Sequence, residues 1–181
     1  VGRLIEGKGL QHIIASFPEI LAVNPDAHLQ VIGDGPEREA LGIMARSLGV
    51  DARIKFLGSL PHESLAEHYR SASLCCAPFT APEGLGLVPL EAISEGCPVL
   101  AGDVPAQHDI FPATLRSMFL IDPTDHQQLA IRVTQLLATP PCEDTMDALR
   151  QHCIERYSWE NVTKRYLEIF GAVIKSRITG S

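Results

Sequence analysis

In the stretch Gly2-Arg3-Leu4-Ile5-Glu6-Gly7-Lys8-Gly9, Arg3 and Lys8 lie five positions apart, at the expected junction of a strand end and a helix start. Two cations beside the unbonded N–H groups of a helix N-terminus make a site for a diphosphate. On spacing alone the alternative stands that Arg3 pairs with an acid and Lys8 is a solvated helix start. A second stretch, Pro82-Glu83-Gly84-Leu85-Gly86-Leu87-Val88-Pro89-Leu90-Glu91-Ala92, brackets two glycines with two carboxylates. Gly84 and Gly86 let the backbone turn sharply beside a ligand, and the helix that follows presents the N–H groups of Gly86 and Leu87. One carboxylate can then reach the sugar side of a ligand while the other accepts hydrogen bonds from vicinal hydroxyls. Taken singly, Glu91 reads as a surface residue; the pair with its glycines is the more specific signal.

Two familiar phosphate-binding patterns are excluded. Gly2 to Gly9 nearly spells a P-loop, but Gly9 stands where a Ser or Thr would hold magnesium, and the bulky insert is unsuited to wrapping phosphates. Gly33-Asp34-Gly35-Pro36 begins a dinucleotide fingerprint that fails at Arg38 and lacks a properly placed ribose acid. His62 and His68 fall on different helix faces with no carboxylate to complete a metal triad. His108-Asp109 is a loop pair that could touch a sugar. Cys75, Cys76, Cys97, Cys142 and Cys153 are odd in number and contain no C-x-x-C, so neither a disulfide framework nor a zinc ribbon fits and a reducing cytoplasm is expected.

The elements that must position these residues follow from hydrophobic periodicity. Short apolar runs are read as strands at Val1–Leu4, His28–Gly33, Arg53–Gly58, Leu74–Phe79, Pro98–Ala101 and Met118–Ile121. Between them, helical spacing is read from Leu10 to Asn24, Glu37 to Leu48, Pro61 to Ala72, Gly86 to Gly96 and Asp125 to Leu137. That alternation predicts an α/β fold, a doubly wound parallel sheet with ligands at the carboxyl ends of its strands. Residues 1–141 form this Rossmann-like unit, and residues 142–181 a helical extension capped at Ser158. The stripe Val162, Tyr166, Ile169, Phe170 and Val173 has core packing as its plain role, with Trp159 as an anchor, and partial exposure of this tail is the alternative.

The chain has 181 residues and a net charge of −7, from 15 Lys and Arg against 22 Asp and Glu. An acidic domain makes a nucleic-acid partner a poor expectation, because phosphate contacts dominate such affinity. No apolar run approaches the roughly 20 residues of a membrane span. The chain starts at Val1, already inside a strand-like run, and reads as cut from something longer.

With the motifs in place, the sequence resembles the retaining GT-B glycosyltransferases of family 4, also called group 1. The resemblance rests on VGRLIEGKG, LQVIGDGPERE, IKFLGSLP, the E-x7-E element EGLGLVPLE within FTAPEGLGLVPLEAISEGCPVLAG, and SWENV, in that order over nearly the whole chain. It implies the C-terminal, nucleotide-sugar-binding half of a two-domain hexosyltransferase. Arg3 and Lys8 would hold the donor diphosphate, aided by the Gly86 and Leu87 N–H groups. Glu91 would bind the ribose and Glu83 the transferred sugar. The backbone near Leu60 would contact the base, with Gly33 lining the cleft.

The resemblance further implies UDP-, GDP- or ADP-sugar donors, no cofactor and no metal. It implies an acceptor sugar or lipid held by a domain before Val1, and a cytoplasmic enzyme, with peripheral association at the inner face of the membrane left open. The isolated domain would bind donor without catalysing transfer, and in the family the tail crosses to the other domain. An epimerase acting on nucleotide sugars and a non-catalytic nucleotide-sugar-binding module are the alternatives. Leu85 in place of a common Phe, Ser73 of a common Asp, and Pro105-Ala106 of a common glycine pair before Asp109-Ile110 leave the shape of the sugar pocket open.

Overall fold

The computed structural model describes residues 1–81 and 84–179, with side chains as far as Ile174. Leu10, Ile13, Ile14, Phe17 and Ile20 recur at helical spacing and form helix α1, Leu10–Val23, which buries the last four of them. Gly9 precedes it with φ 72°, so α1 begins two residues beyond Lys8 rather than at it. Strand β1 (Leu29–Ile32) follows, then α2 (Arg38–Ser47), β2 (Ile54–Gly58), α3 (His62–Ser71), β3 (Cys75–Ala77) and α4 (Leu87–Ser94). After β4 (Val99–Gly102) come the single-turn α5 (Arg116–Phe119), β5 (Leu120–Ile121), α6 (His126–Ala138), α7 (Glu143–Tyr157) and α8 (Trp159–Thr179). Gly49, at φ 68°, ends the α2 turn as its position after the apolar run suggests.

Among the described residues the ladders between these strands are all parallel, with one isolated antiparallel bridge between Gly33 and Gly58. β1 pairs with β2, and β3, β4 and β5 lie side by side in that order, in a separate sheet. One core cluster joins α1, α2 and α6 to Val31, Ile54 and Leu100. The other joins Tyr69 of α3, α4 and α7 to Cys75, Ala77, Val99 and Ala101. Alternate strand residues thus face opposite helical layers, the arrangement of a Rossmann-like sandwich.

The strands are shorter than their apolar runs. Met118 and Phe119 wind into α5, which leaves only Leu120 and Ile121 to pair with β4. Val1–Leu4 joins no strand, although the Gly2 N–H bonds to the Ile32 carbonyl at 2.9 Å and the Leu4 N–H to that of Asp34 at 3.0 Å. At the other end, Leu149 of α7 is fully buried. Ser158 breaks the helix and caps the next, its Oγ accepting from the Asn161 N–H at 3.3 Å. Most of the stripe on α8 is not core: Tyr166, Ile169, Phe170 and Val173 are exposed, Val162 is half-buried and Trp159 is 86% exposed, because α8 rests on α7 and only a short helix surface meets it.

Candidate functional site

The carboxyl ends of the strands are stacked backbone to backbone, which only glycine permits. The Gly33 N–H donates to the Gly58 carbonyl at 2.7 Å. A Cβ on Gly33 would stand 1.9 Å from the Gly2 carbonyl oxygen, so the turns after β2, after β1 and at the chain start lie in one row. Leu60, half-buried, sits two residues past Gly58, and exposed Arg3 one residue past Gly2. Gly35 extends the row, since its Cβ would lie 2.4 Å from the Leu4 carbonyl oxygen.

The second half of the first loop is a single 3-10 turn, Glu6–Lys8, closed by the Gly9 N–H on the Glu6 carbonyl at 3.0 Å. Gly9, at φ 72°, is pressed against Pro78: a Cβ there would be 1.7 Å from the Pro78 oxygen. The Thr80 N–H donates to the Gly7 carbonyl at 3.2 Å. This seam locks the first loop to the segment after β3. It places the Lys8 Nζ 5.0 Å from the centroid of the Phe79 ring, a cation–π distance.

Gly86 sits on the same aromatic ring. It is the N-cap of α4 with φ 70°, and a Cβ on it would lie 3.3 Å from Cε2 of Phe79. Phe79 therefore holds Lys8 and the amino end of α4 in one neighbourhood. Leu87, the first residue of α4, is 63% exposed, so the amino end of the helix opens to solvent. A helix N-terminus carries unbonded N–H groups and a partial positive charge, which favour an anion placed there.

One turn deeper, Glu91 accepts a hydrogen bond on Oε2 from the Tyr69 hydroxyl at 2.8 Å. Burial first, and the Glu91 carboxylate second, push the Tyr69 hydroxyl well above its ordinary range, so it remains a donor. Arg70 reaches Glu95 at 2.7 Å, so α3 and α4 are tied at two successive positions. The carboxylate of Glu91 is thus oriented by a buried phenol. Glu83 lies outside the described residues.

Beneath the glycine turn lies Gln107, fully buried. Its Nε2 donates to the Leu85 carbonyl at 3.5 Å and would stand 2.7 Å from a Cβ on Gly86. Its Oε1 is buried and has no hydrogen-bond partner among the described residues. His108 turns away from this turn to pair with Asp103, and Asp109 meets Arg156 at 3.6 Å. His68 bonds to Gln30 at 3.0 Å. Among the described residues no group of three His, Cys, Asp or Glu side chains could hold a metal.

The structure thus sets Lys8 and Gly86 against Phe79, with Leu87 beside Gly86 and Glu91 one turn further along α4. Gly33 lies in a separate row with Gly2 and Gly58, which Arg3 and Leu60 follow in the chain. Sequence reasoning missed Tyr69, Phe79 and Gln107. Phe79 ends an apolar run at the edge of the glycine loop, which was a usable signal. Tyr69 lies 22 positions before Glu91 on another helix, and nothing local marks it.

Comparisons with known proteins bear on the family and the fold. A sequence profile described as "Glycosyl transferases group 1" matches residues 1–156. The chain is 30% identical to the GDP-mannose-dependent alpha-(1-6)-phosphatidylinositol monomannoside mannosyltransferase of Mycolicibacterium smegmatis, over 98% of this chain and 48% of that protein. It is 32% identical to the D-inositol 3-phosphate glycosyltransferase of Corynebacterium urealyticum, over 94% of this chain and 41% of that protein. The chain spans about half the length of the curated relatives it matches. Among solved structures, it superposes on Anabaena HepE in complex with UDP with a TM-score of 0.80 at 23% identity, covering 94% of this chain and 47% of the other. It also superposes on the C-terminal domain of a glycosyl transferase group 1 family protein from Francisella tularensis with a TM-score of 0.67 at 26% identity, covering 92% and 83%. The parallel strands, the layered helices and these likenesses are those of the Rossmann-like half of a GT-B fold, and the chain belongs to the group 1 glycosyltransferases.

Proposed function

We propose that this domain binds the nucleoside-diphosphate sugar donor of a retaining hexosyltransferase. The observation that carries the reading is the shared seat on Phe79, which sets Lys8 beside the amino end of α4. A diphosphate bridging them meets an ammonium and helix N–H groups together, and exposed Arg3 closes the site from the first loop. The tyrosine-braced carboxylate of Glu91 accepts from the ribose hydroxyls, the backbone near Leu60 meets the base, and Gly33 lets the ligand approach the sheet edge. Glu83 contacts the transferred hexose.

Negative charge grows on the leaving diphosphate as the sugar becomes oxocarbenium-like. Arg3, Lys8 and the N–H groups of Gly86 and Leu87 stabilise that charge, and Glu83 orients the sugar. The leaving phosphate takes the acceptor proton. Fixed cations and helix N–H groups do the work that a metal would do elsewhere, so none is needed. The acceptor, a sugar or a lipid at the inner face of a membrane, belongs to a second domain, and transfer requires both halves.

The test is ligand-induced stabilisation. Mass action at a hundredfold excess over Kd adds about 2.7 kcal/mol. UDP, GDP and ADP are each titrated to millimolar concentration, with GDP first because of the GDP-mannose-dependent relative, and a raised Tm is expected with at least one. Flat melting curves with all three overturn the reading. Lys8→Ala is expected to weaken the diphosphate by about 10- to 100-fold, the scale of a charged hydrogen bond, and the free nucleoside hardly at all. Glu91→Ala is expected to weaken both alike.

A further inference from the structure

We infer that Arg38 reads the base of the donor, and that its fork of N–H donors selects guanine. This rests on the donor reading, which sets the base against the backbone near Leu60. Arg38 is the first residue of α2. A Cβ on Gly58, two residues before Leu60, would stand 3.6 Å from its Nη1. The Gly58 carbonyl in turn accepts the Gly33 N–H at 2.7 Å, so the guanidinium lies at the joined carboxyl ends of β1 and β2.

Three contacts hold it there. Its Nη2 donates to the Phe56 carbonyl at 3.4 Å. Its Cζ stands 5.9 Å from the centroid of the Phe56 ring, a cation–π distance. Nη1 lies 3.6 Å from Oδ2 of Asp34, whose other oxygen accepts the Gly35 N–H at 2.8 Å and so keeps the carboxylate in place. These contacts place Arg38 without exhausting it. A guanidinium carries five N–H donors in a fixed fork, two of them on each Nη. With one from Nη2 given to Phe56, and even with one from Nη1 given to Asp34, each Nη keeps a donor. The Arg38 side chain is 41% exposed and that of Asp34 57%. So open an ion pair adds little to stability, and the spare donors face solvent.

The chemistry of the fork chooses its ligand. Two donors side by side on one rigid plane match two acceptors side by side. The Asp34 carboxylate beside them disfavours a phosphate at this point, whereas a neutral base edge meets no such repulsion. Lys8 and the amino end of α4, on Phe79, remain the place for the diphosphate. Guanine presents O6 and N7, both acceptors, on one edge. Uracil presents O4 alone. Adenine presents N7 beside an amino group, whose N–H meets the N–H groups of the fork. The expected order of preference is therefore guanine, then uracil, then adenine.

The test is calorimetric titration of the chain with GDP, UDP and ADP, and with inosine diphosphate and 7-deazaguanosine diphosphate as probes of the edge. GDP is expected to bind about 10- to 100-fold more tightly than UDP, with ADP weaker still. Inosine diphosphate keeps O6 and N7 and is expected to match GDP within about threefold, while the 7-deaza compound lacks N7 and is expected to fall toward UDP. Arg38→Lys keeps the charge without the fork, and Arg38→Met keeps the stem on Phe56; each is expected to erase the guanine preference and to leave UDP within about threefold of its original affinity. If no nucleotide binds, the donor reading fails and this inference with it. If nucleotides bind with no preference for GDP, or inosine diphosphate falls to the level of UDP, or the preference survives in both variants, the inference alone is overturned. Loss of UDP along with GDP in both variants also overturns it, because Arg38 then supports the fold and not the base. Should the variants fail to fold, the two probes decide the matter on the unaltered chain.

Discussion

At Gly9 a left-handed backbone coincides with the tightest approach met by any glycine among the described residues, a would-be Cβ 1.7 Å from the Pro78 oxygen. An alanine there meets both the αL penalty and a backbone clash, so Gly9→Ala is expected to cost more than about 2 kcal/mol in urea unfolding. It should also push Lys8 off the Phe79 ring and weaken diphosphate binding, which calorimetry would read. Gly2 offers the contrast: at φ 127° it has open space around its Cβ position, so backbone strain is its only cost. At this scale the stretches around Arg3 and Lys8 and around Gly86 and Glu91 were legible in the sequence, because each announces itself through its neighbours in the chain, and their roles belong to the proposed donor site. Tyr69 and Phe79 were not, because their roles depend on which helix and which loop the fold brings beside them. Tyr69→Phe keeps the packing and deletes only the donor to Glu91, and is expected to cost about 1 kcal/mol. The readout is a urea curve together with a few-fold loss in nucleoside affinity.

The elements follow their sequence signals closely where a glycine, a proline or a cap punctuates the helical period. Asp125 caps α6 by accepting from the Gln128 N–H at 3.0 Å, and Ser158 divides α7 from α8. Strand pairing was less legible, because short apolar runs give a strand but not its partner. α1 and α6 pack side by side, and there the His12 Nδ1 meets the His126 Nε2 at 3.0 Å. Burial and then His126 hold the His12 imidazole below its ordinary 6.5, with Asp122 opposing. Because the folded state disfavours the imidazolium, this contribution is complete above pH 6.5 and is lost as the pH falls below it, levelling off at the lowered value. Thermal melts between pH 7.5 and 5 should therefore show a decline that His12→Gln reduces.

Over the whole molecule, burial sorts the five thiols more sharply than sequence did. Burial pushes Cys75 and Cys153 up to about 11, and Cys76 and Cys97 to about 12. Cys142 is exposed, and hydrogen bonds from Thr145 hold it below the usual thiol range. A disulfide reagent at pH 8 should react quickly with one thiol in the native protein and with the other four only on unfolding. The −7 net charge is likewise a property of the whole chain, against which Arg3 and Lys8 must attract an anion at short range. The Oε1 of Gln107, buried under the glycine turn with no partner among the described residues, bears on the fold as a whole in a different way. It means that the domain sits below the stability its architecture permits. A leucine in the same space would remove a desolvated acceptor worth about 1–3 kcal/mol and give a hardier protein. It would also take away the amide that reaches Leu85, so a stability screen would select against the very turn on which the proposed donor site is built.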